Sequence, residues 1–260
     1  MTESARQPHA VLDLPSRRHK GLKIERLLDL QQRPQPIRLL EVGTGSGGIA
    51  HYFGTHAGLR CDVTAVDVVD QRLIHDGYRF MQVTDTTLPF ADASFDVVLS
   101  NHVIEHVGEH DAQLHHLREL RRVMAADGVG YLAVPNRWML VEPHYRLAFL
   151  SWLPHRLRTP YLRLMRRGER YDCEPLNLAQ LDALLAEAGF AWRHVEIEAL
   201  RALLAIEGSS SLAARLVARL PDGLLGALRG SFPTLIARMQ SAHARAESCF
   251  PRQAGRERTE

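Results

Sequence analysis

Two rhythms alternate along the chain. Short, nearly continuous apolar runs read as buried strands, and segments with apolar residues three or four apart read as amphipathic helices. Gly21 to Leu30 has the helical rhythm (Leu22, Ile24, Leu27, Leu28, Leu30), and Pro34 and Pro36 end it. Ile37-Arg38-Leu39-Leu40-Glu41-Val42 is the first expected strand, followed by a glycine turn and a helix opening at Ile49 to Phe53. Further strands are expected at Cys61 to Asp67, Tyr78 to Val83, Phe95 to Ser100 and Gly130 to Val134. Between the last two, Leu114, Leu117, Leu120 and Val123 mark a helix from about Asp111 to Met124, with Asp127-Gly128 as its stop. Strands alternating with helices predict a parallel sheet covered on both faces, with ligands beyond the carboxyl ends of the strands.

After Pro135 the pattern changes. Arg146, Arg156, Arg158, Arg163, Arg166, Arg167 and Arg170 are interleaved with Tyr145, Phe149, Trp152 and Tyr161, which reads as a helical insertion over the active site. Asn177 to Ala188 is an expected helix closed by Gly189, and Phe190 to Ile197 a strand. Leu200 to Arg229 reads as a second, apolar helical insertion broken by Gly208 and Pro221, and Thr234 to Met239 as the last strand. The organisation expected is a lead-in and helix over 1–36, a main domain over 37–240 and a polar tail over 241–260. Insertions at about 136–174 and 199–232 would form a cap.

Composition narrows the partners. A chain of 260 residues, 45% hydrophobic and 24% charged, fits one globular α/β domain. Its 32 basic and 30 acidic residues leave a net charge of +2 with no concentrated basic face in the first 140 positions, so no nucleic-acid partner is expected. Cys61, Cys173 and Cys249 are scattered and form no C-x-x-C pair. Neither a disulfide framework nor a structural zinc site is expected, and a cytoplasmic location fits. No apolar run approaches a membrane span. Peripheral membrane contact through the Arg/aromatic segment remains a reading, as does a homodimer contact through 200–229.

Gly43-Thr44-Gly45-Ser46-Gly47 lies where a buried strand meets a helix, and glycine there allows a sharp turn and close approach of a ligand to backbone N–H groups. Gly43, Gly45 and Gly48 also satisfy G-x-G-x-x-G, so NAD and S-adenosylmethionine are both open, as is a merely tight turn. Asp67, ending the next strand, can accept from ribose hydroxyls of either cofactor, or can simply cap its own turn.

Downstream motifs separate these readings. Asp85-Thr86-Thr87-Leu88-Pro89-Phe90 is followed by Ser94-Phe95-Asp96-Val97-Val98 and then by Val103-Ile104-Glu105-His106-Val107. This order resembles the type 11 class I S-adenosylmethionine-dependent methyltransferases over about residues 37–135, with weaker echoes at 177–198 and 234–240. The resemblance implies a Rossmann-like, seven-stranded α/β sheet with its last strand antiparallel, carrying here a helical cap. It implies that Glu41 and the turn Gly43, Thr44, Gly45, Ser46 and Gly47 hold the methionine portion of S-adenosylmethionine. Asp67 would then hold the ribose, Val68 would pack on the adenine, Asp85 with the Thr86 backbone would face the adenine amine, and Asn101 with His102 would line the methionine end. For Asp85 and Asn101 the plain alternative is a loop residue bonding its own backbone. Against a short-chain reductase, the chain has no lysine after Lys23 to complete a Tyr-x-x-x-Lys pair.

On the acceptor side, His102, Glu105, His106 and His110 suggest a metal at first sight. The acidic partners fit no familiar metal signature, however, and the E-H-V segment occurs in the family without one, so no metal is expected. His106 is a candidate base, with a structural histidine as the alternative. Asn136, Trp138, Glu142, His144 and Tyr145 follow the fifth strand and are candidate substrate contacts, with His144 a second candidate base; anchoring of the insertion is the alternative. Ser100-Asn101-His102-Val103 lacks the Asn/Asp-Pro-Pro-aromatic run of amide and nucleobase methylases. The expected reaction is methyl transfer to oxygen on a small molecule, a sugar, glycan precursor or natural-product intermediate. N- or C-methylation, an NAD(P)-dependent oxidoreductase and a non-catalytic cofactor-binding partner stand as alternatives.

Overall fold

The protein is described from a computed structural model covering residues 13–207 and 219–241. One seven-stranded sheet organises it, in the order β3-β2-β1-β4-β5-β9-β8. Its strands are β1 (Ile37–Val42), β2 (Cys61–Asp67), β3 (Arg79–Gln82), β4 (Phe95–Asn101), β5 (Met124–Pro135), β8 (Phe190–His194) and β9 (Thr234–Ser241). The neighbouring pairs from β3 to β5 are parallel, and β9 runs antiparallel to both β5 and β8. The sheet is thus the expected Rossmann-like one, with its last strand reversed.

Side-chain alternation along the strands builds two cores. Leu40, Val98, Leu132 and Val134 face α3 (His110–Val123) and α5 (Leu178–Glu187). Leu39, Val97, Leu99 and Tyr131 face α1 (Leu14–Leu28) and α2 (Gly48–Gly54). Strands buried on both faces read as unbroken apolar runs, which is why they were visible in the sequence.

The structure departs from expectation at several element ends. α1 starts at Leu14 rather than Gly21, with Pro15 in its first turn, where the missing N–H costs nothing. α3 ends at Val123, and β5 starts at once with Met124 opposite Phe95. The register shifts between Phe95 and Val97, so Asp127-Gly128 falls in a bulge of the strand instead of stopping the helix. β8 ends at His194, because α6 (Glu196–Glu207) begins almost immediately.

The insertions also differ from an all-helical cap. Within 136–174, only α4 (His155–Leu164) is α-helical, preceded by an antiparallel hairpin of β6 (Val141–Glu142) and β7 (Leu147–Ala148). This lobe has its own small core of Tyr145, Leu147, Leu150, Leu162, Tyr171 and Cys173. The second insertion opens in the main core and not in a cap, because Ala199 joins the core that α1 closes. A short helix, α7 (Asp222–Ala227), follows. The Gly208 break, the tail beyond Ser241 and residues 1–12 of the expected lead-in lie outside the described residues.

α3 also explains the Leu88-Pro89-Phe90 run. Arg122 donates to the carbonyls of Leu88 and Phe90 at 2.8 and 2.7 Å, and Glu119 accepts from the Leu88 N–H at 2.8 Å. Arg122 and Glu119 are themselves paired at 2.7 Å. Replacing Arg122 with Met leaves Glu119 and two carbonyls without their donor, an expected loss of about 1–3 kcal/mol. Amide exchange over 84–92 should quicken in Arg122→Met; equal protection in both proteins would mean that the loop is held by something else.

Candidate active site

The tips of β1, β2 and β4 meet at the glycine turn. Gly43 sits at φ +77° and donates its N–H to the Val66 carbonyl at 2.8 Å. A Cβ there would collide with Cγ2 of Val103, so the Val103 side chain, on the loop after β4, packs directly on the Gly43 backbone. Gly47, at φ +81°, would collide with the Ile74 carbonyl and the Tyr78 hydroxyl. Asp67 accepts from the Gly45 N–H at 2.9 Å, which joins the end of β2 to the turn. Its two oxygens retain lone pairs for further donors.

Beneath the turn, Glu41 is buried and accepts from the Thr44 hydroxyl at 2.8 Å. Burial pushes its pKa up to about 8, against the Thr44 hydrogen bond and the charge of Arg17. Two buried oxygens close to the turn and to the end of β4, Ser46 Oγ and Asn101 Oδ1, have no hydrogen-bond partner. A polar ligand would satisfy such atoms. Val68 and Asp85 are exposed at the side, and Asp85 accepts from the Thr87 N–H at 2.7 Å, the self-bonded loop geometry that was the alternative for it. Thr86 lies beside it, half-buried.

α1 supplies two residues that the motifs did not reveal. A Cβ on Gly48 would meet the Arg17 side chain, so α1 lies directly over the start of α2. Lys20 is pushed down to about 7 by burial and by Arg17 and Lys23, with Glu41 and Glu105 opposing. Helical spacing of Arg17, Lys20 and Gly21 was the available signal, but nothing local said which layer the helix would cover.

After β4 the chain does not enter a helix at His102. His102 is left-handed (φ +58°), its N–H bonds the Ala133 carbonyl, and Ile104–His106 forms a single 3-10 turn. His102 and His106, four apart in sequence, therefore do not share a helix face. Glu105 is fully buried instead, with His102 Nδ1 at 3.5 Å and His106 Nε2 at 3.9 Å from its Oε1.

The cap brings a second acid–histidine pair to this turn. Glu142 is buried and accepts from the Tyr145 N–H at 2.7 Å, and its other oxygen lies 2.6 Å from His144 Nδ1. Burial opposes the His144 cation, yet Glu142, with Glu105 and Asp172 behind it, outweighs burial and raises the His144 pKa. The His106 and His144 rings meet edge-on, with centroids 5.1 Å apart. The cap is tied down here because Glu174 donates its N–H to the Glu105 carbonyl at 2.8 Å. Cys173, which the sequence left as an isolated thiol, thereby lies beside both rings.

Two expected substrate contacts serve the architecture. Asn136 is buried, and its amide donates to the carbonyls of Gly230 and Phe232 at 2.7 and 2.8 Å. Tyr145 is buried in the cap core, with its hydroxyl on Asp172 at 2.8 Å, so it offers no free stacking face. Trp138 is exposed and packs edge-on with Trp152. A surface groove lined by Arg38, Asp62, Arg79 and Phe95 lies at the opposite, amino ends of the strands, away from every group above.

Residues 40–132 match the family model described as methyltransferase domain. A probable S-adenosylmethionine-dependent methyltransferase of Mycobacterium tuberculosis is 31% identical over 157 residues, covering 58% of this chain and 48% of the relative, in strains CDC 1551 and H37Rv alike. The chain thus spans about half the length of the curated relatives it matches. Among solved structures, a chain of the Trm112 methyltransferase-activator complex of Haloferax volcanii superposes with TM-score 0.52 at 16% identity, covering 92% of this chain and 100% of that one. A TehB-like S-adenosylmethionine-dependent methyltransferase of Corynebacterium glutamicum gives 0.50 at 12% identity, with 86% and 87% covered. These two likenesses bear on the fold.

The raised Glu41 pKa has a measurable sign. Between its ordinary 4.5 and about 8, the native state keeps a proton that the unfolded chain has released. Its contribution to stability is therefore full below 4.5 and lost as pH rises through 8. Urea unfolding of wild type and Glu41→Gln at about pH 5.5 and about pH 8.5 should show the wild type losing ground to the variant at the higher pH. A difference independent of pH would contradict a buried, protonatable Glu41.

Proposed function

We propose that this chain is a class I methyltransferase that transfers a methyl group from S-adenosylmethionine to oxygen on a small-molecule acceptor, a reading supported by the match of residues 40–132 to the methyltransferase-domain model and by the Mycobacterium tuberculosis relative. The observation that supports this reading best is the meeting of two half-sites. A glycine turn with buried, unpartnered polar atoms lies on one side of the loop after β4, and an acid–histidine pair from the cap lies on the other.

Fit to the cofactor is good at the turn. The protein's own packing excludes side chains at Gly43 and Gly47 and fixes the course of the turn, and the unpartnered Ser46 and Asn101 oxygens beside it are open to the methionine portion. Glu41, Ser46 and Asn101 offer polar atoms there, and Asp67 offers its carboxylate to the ribose hydroxyls. Val68 gives an exposed apolar surface for the adenine, and Asp85 with Thr86 borders it. The bound cofactor supplies a methyl carbon already activated by its positive sulfur, so the protein chiefly aligns the acceptor and removes its proton.

His144, held at Nδ1 by Glu142, keeps its second ring nitrogen for the proton of an acceptor hydroxyl as the carbon–oxygen bond forms. His106 borders the same space. Trp138, Trp152, Phe149 and Leu157 are exposed on the cap near its arginines, which favours an acceptor with an apolar portion or one presented at an anionic lipid surface. Sugars, glycan precursors and natural-product intermediates are the acceptor classes we place first, in a cytoplasmic setting.

The direct test incubates the protein with S-adenosylmethionine and a panel of hydroxyl, amine and carbon acceptors and follows S-adenosylhomocysteine. Turnover with a hydroxyl acceptor is expected, with His144→Ala lowering kcat about 10²–10⁴-fold while S-adenosylhomocysteine affinity holds. Turnover with amines alone would replace oxygen by nitrogen. Stabilisation by NAD but not by S-adenosylhomocysteine would overturn the reading in favour of an oxidoreductase.

A further inference from the structure

His106, His144 and Cys173 come from three separate segments and converge beside the loop after β4. One donor atom from each lies within 4.8 Å of the other two, with the cysteine buried and both histidines half-buried. Cys173 Sγ is 3.7 Å from His106 Nδ1 and 3.8 Å from His144 Nδ1. A tetrahedral zinc ion, with bonds of about 2.3 Å to sulfur and about 2.0–2.1 Å to nitrogen, sets sulfur and nitrogen about 3.5 Å apart. The Cys173–His106 spacing is close to that edge, and on His144, whose Nδ1 is held by Glu142, the metal would take Nε2. Without a metal the thiol proton goes to Asp172 Oδ1 at 3.6 Å, which leaves both imidazole nitrogens facing the sulfur lone pairs.

We propose that His106, His144 and Cys173 form a zinc(II)-class metal site at the junction of the cap and the sheet. The donor set is right for that ion, since thiolate and imidazole together favour a borderline-soft divalent metal over magnesium or calcium. The surroundings point the same way. Glu142 stands behind His144 at 2.6 Å, and Glu105 stands behind His106 at 3.9 Å. Carboxylates in that position orient metal-bound imidazoles and strengthen them as ligands. Both Glu105 oxygens are buried without a hydrogen bond, with only His102 Nδ1 at 3.5 Å and His106 Nε2 at 3.9 Å near Oε1, so added positive charge on His106 would be compensated there.

Binding converts the Cys173 thiol to a thiolate and releases its proton to the buffer, while both histidines bind as neutral rings. Three protein ligands leave a fourth position for water or an acceptor oxygen, and with the metal on His144 the acceptor proton would be lost to a metal-bound hydroxide in place of the imidazole. That an acceptor uses it rests on the methyltransferase reading; that a metal binds does not. The sequence pointed away from a metal because no two of the three ligands lie within one short spacing motif.

The test titrates the full-length, metal-stripped protein with Zn(II) and separately with Co(II), without S-adenosylmethionine or any acceptor. One equivalent of Zn(II) per chain is expected. In a Cys61→Ser/Cys249→Ser background, where Cys173 is the remaining thiol, Co(II) should give near-ultraviolet thiolate-to-cobalt absorption. Adding Cys173→Ser should remove that band and lower zinc affinity by at least about 100-fold. Glu142→Gln should keep the band and lower affinity about 10–100-fold. Circular dichroism confirms folding of each variant, and the cobalt spectrum of the Cys61→Ser/Cys249→Ser protein carries the test should Cys173→Ser fail to fold. Binding below one equivalent, cobalt binding without the thiolate band, or zinc affinity unchanged by Cys173→Ser would each overturn the proposal. Since no methyl transfer is measured, its failure stays distinct from failure of the proposed function.

Discussion

The backbone of Gly43 runs so close to Val103 that no side chain fits between them, and this contact governs the layout of the site. It brings the turn after β1 against the loop after β4, while the Gly43 N–H on Val66 and the Gly45 N–H on Asp67 fasten the same turn to β2. Three strand tips are thereby locked into one rim. The left-handed conformations at Gly43 and Gly47 are what this packing demands, and L side chains would be strained there before any clash is counted.

From that rim outward, each further layer is attached by a few polar ties. α3 holds the Leu88-Pro89-Phe90 loop through Arg122 and Glu119, which sets where Asp85 can stand. The cap is attached by the Glu174–Glu105 backbone bond and by Gln113, whose amide reaches the Glu174 carbonyl at 3.0 Å. Those ties carry Cys173 and the Glu142–His144 pair to His106. Buried carboxylates at Glu41, Glu105 and Glu142 recur on both sides of the loop after β4, where a positively charged cofactor or metal would find compensation for desolvation.

How much of this was legible in the sequence depended on range. β1, β2, β4 and the glycine turn could be read locally, since doubly buried parallel strands show as apolar runs and only glycine suits the turn. The bulge that places Asp127-Gly128 inside β5 could not, because it reflects register with β4. Tyr145 looked like a stacking face, yet the cap has a core of its own that needed it. Asn136 looked like a substrate contact, yet its buried amide was required by the carbonyls of Gly230 and Phe232. The role of α1 over the turn, and the meeting of His106, His144 and Cys173, depend on contacts between distant segments that no spacing rule encodes.

Hydrogen–deuterium exchange with and without S-adenosylhomocysteine tests the central claim most directly, because it reads the rim itself. Ligand binding should slow exchange over 41–48, 67–69 and 101–103 together, with NAD producing no such pattern. Absence of protection at the glycine turn, or equal protection by NAD, would contradict the account of this rim as an S-adenosylmethionine site.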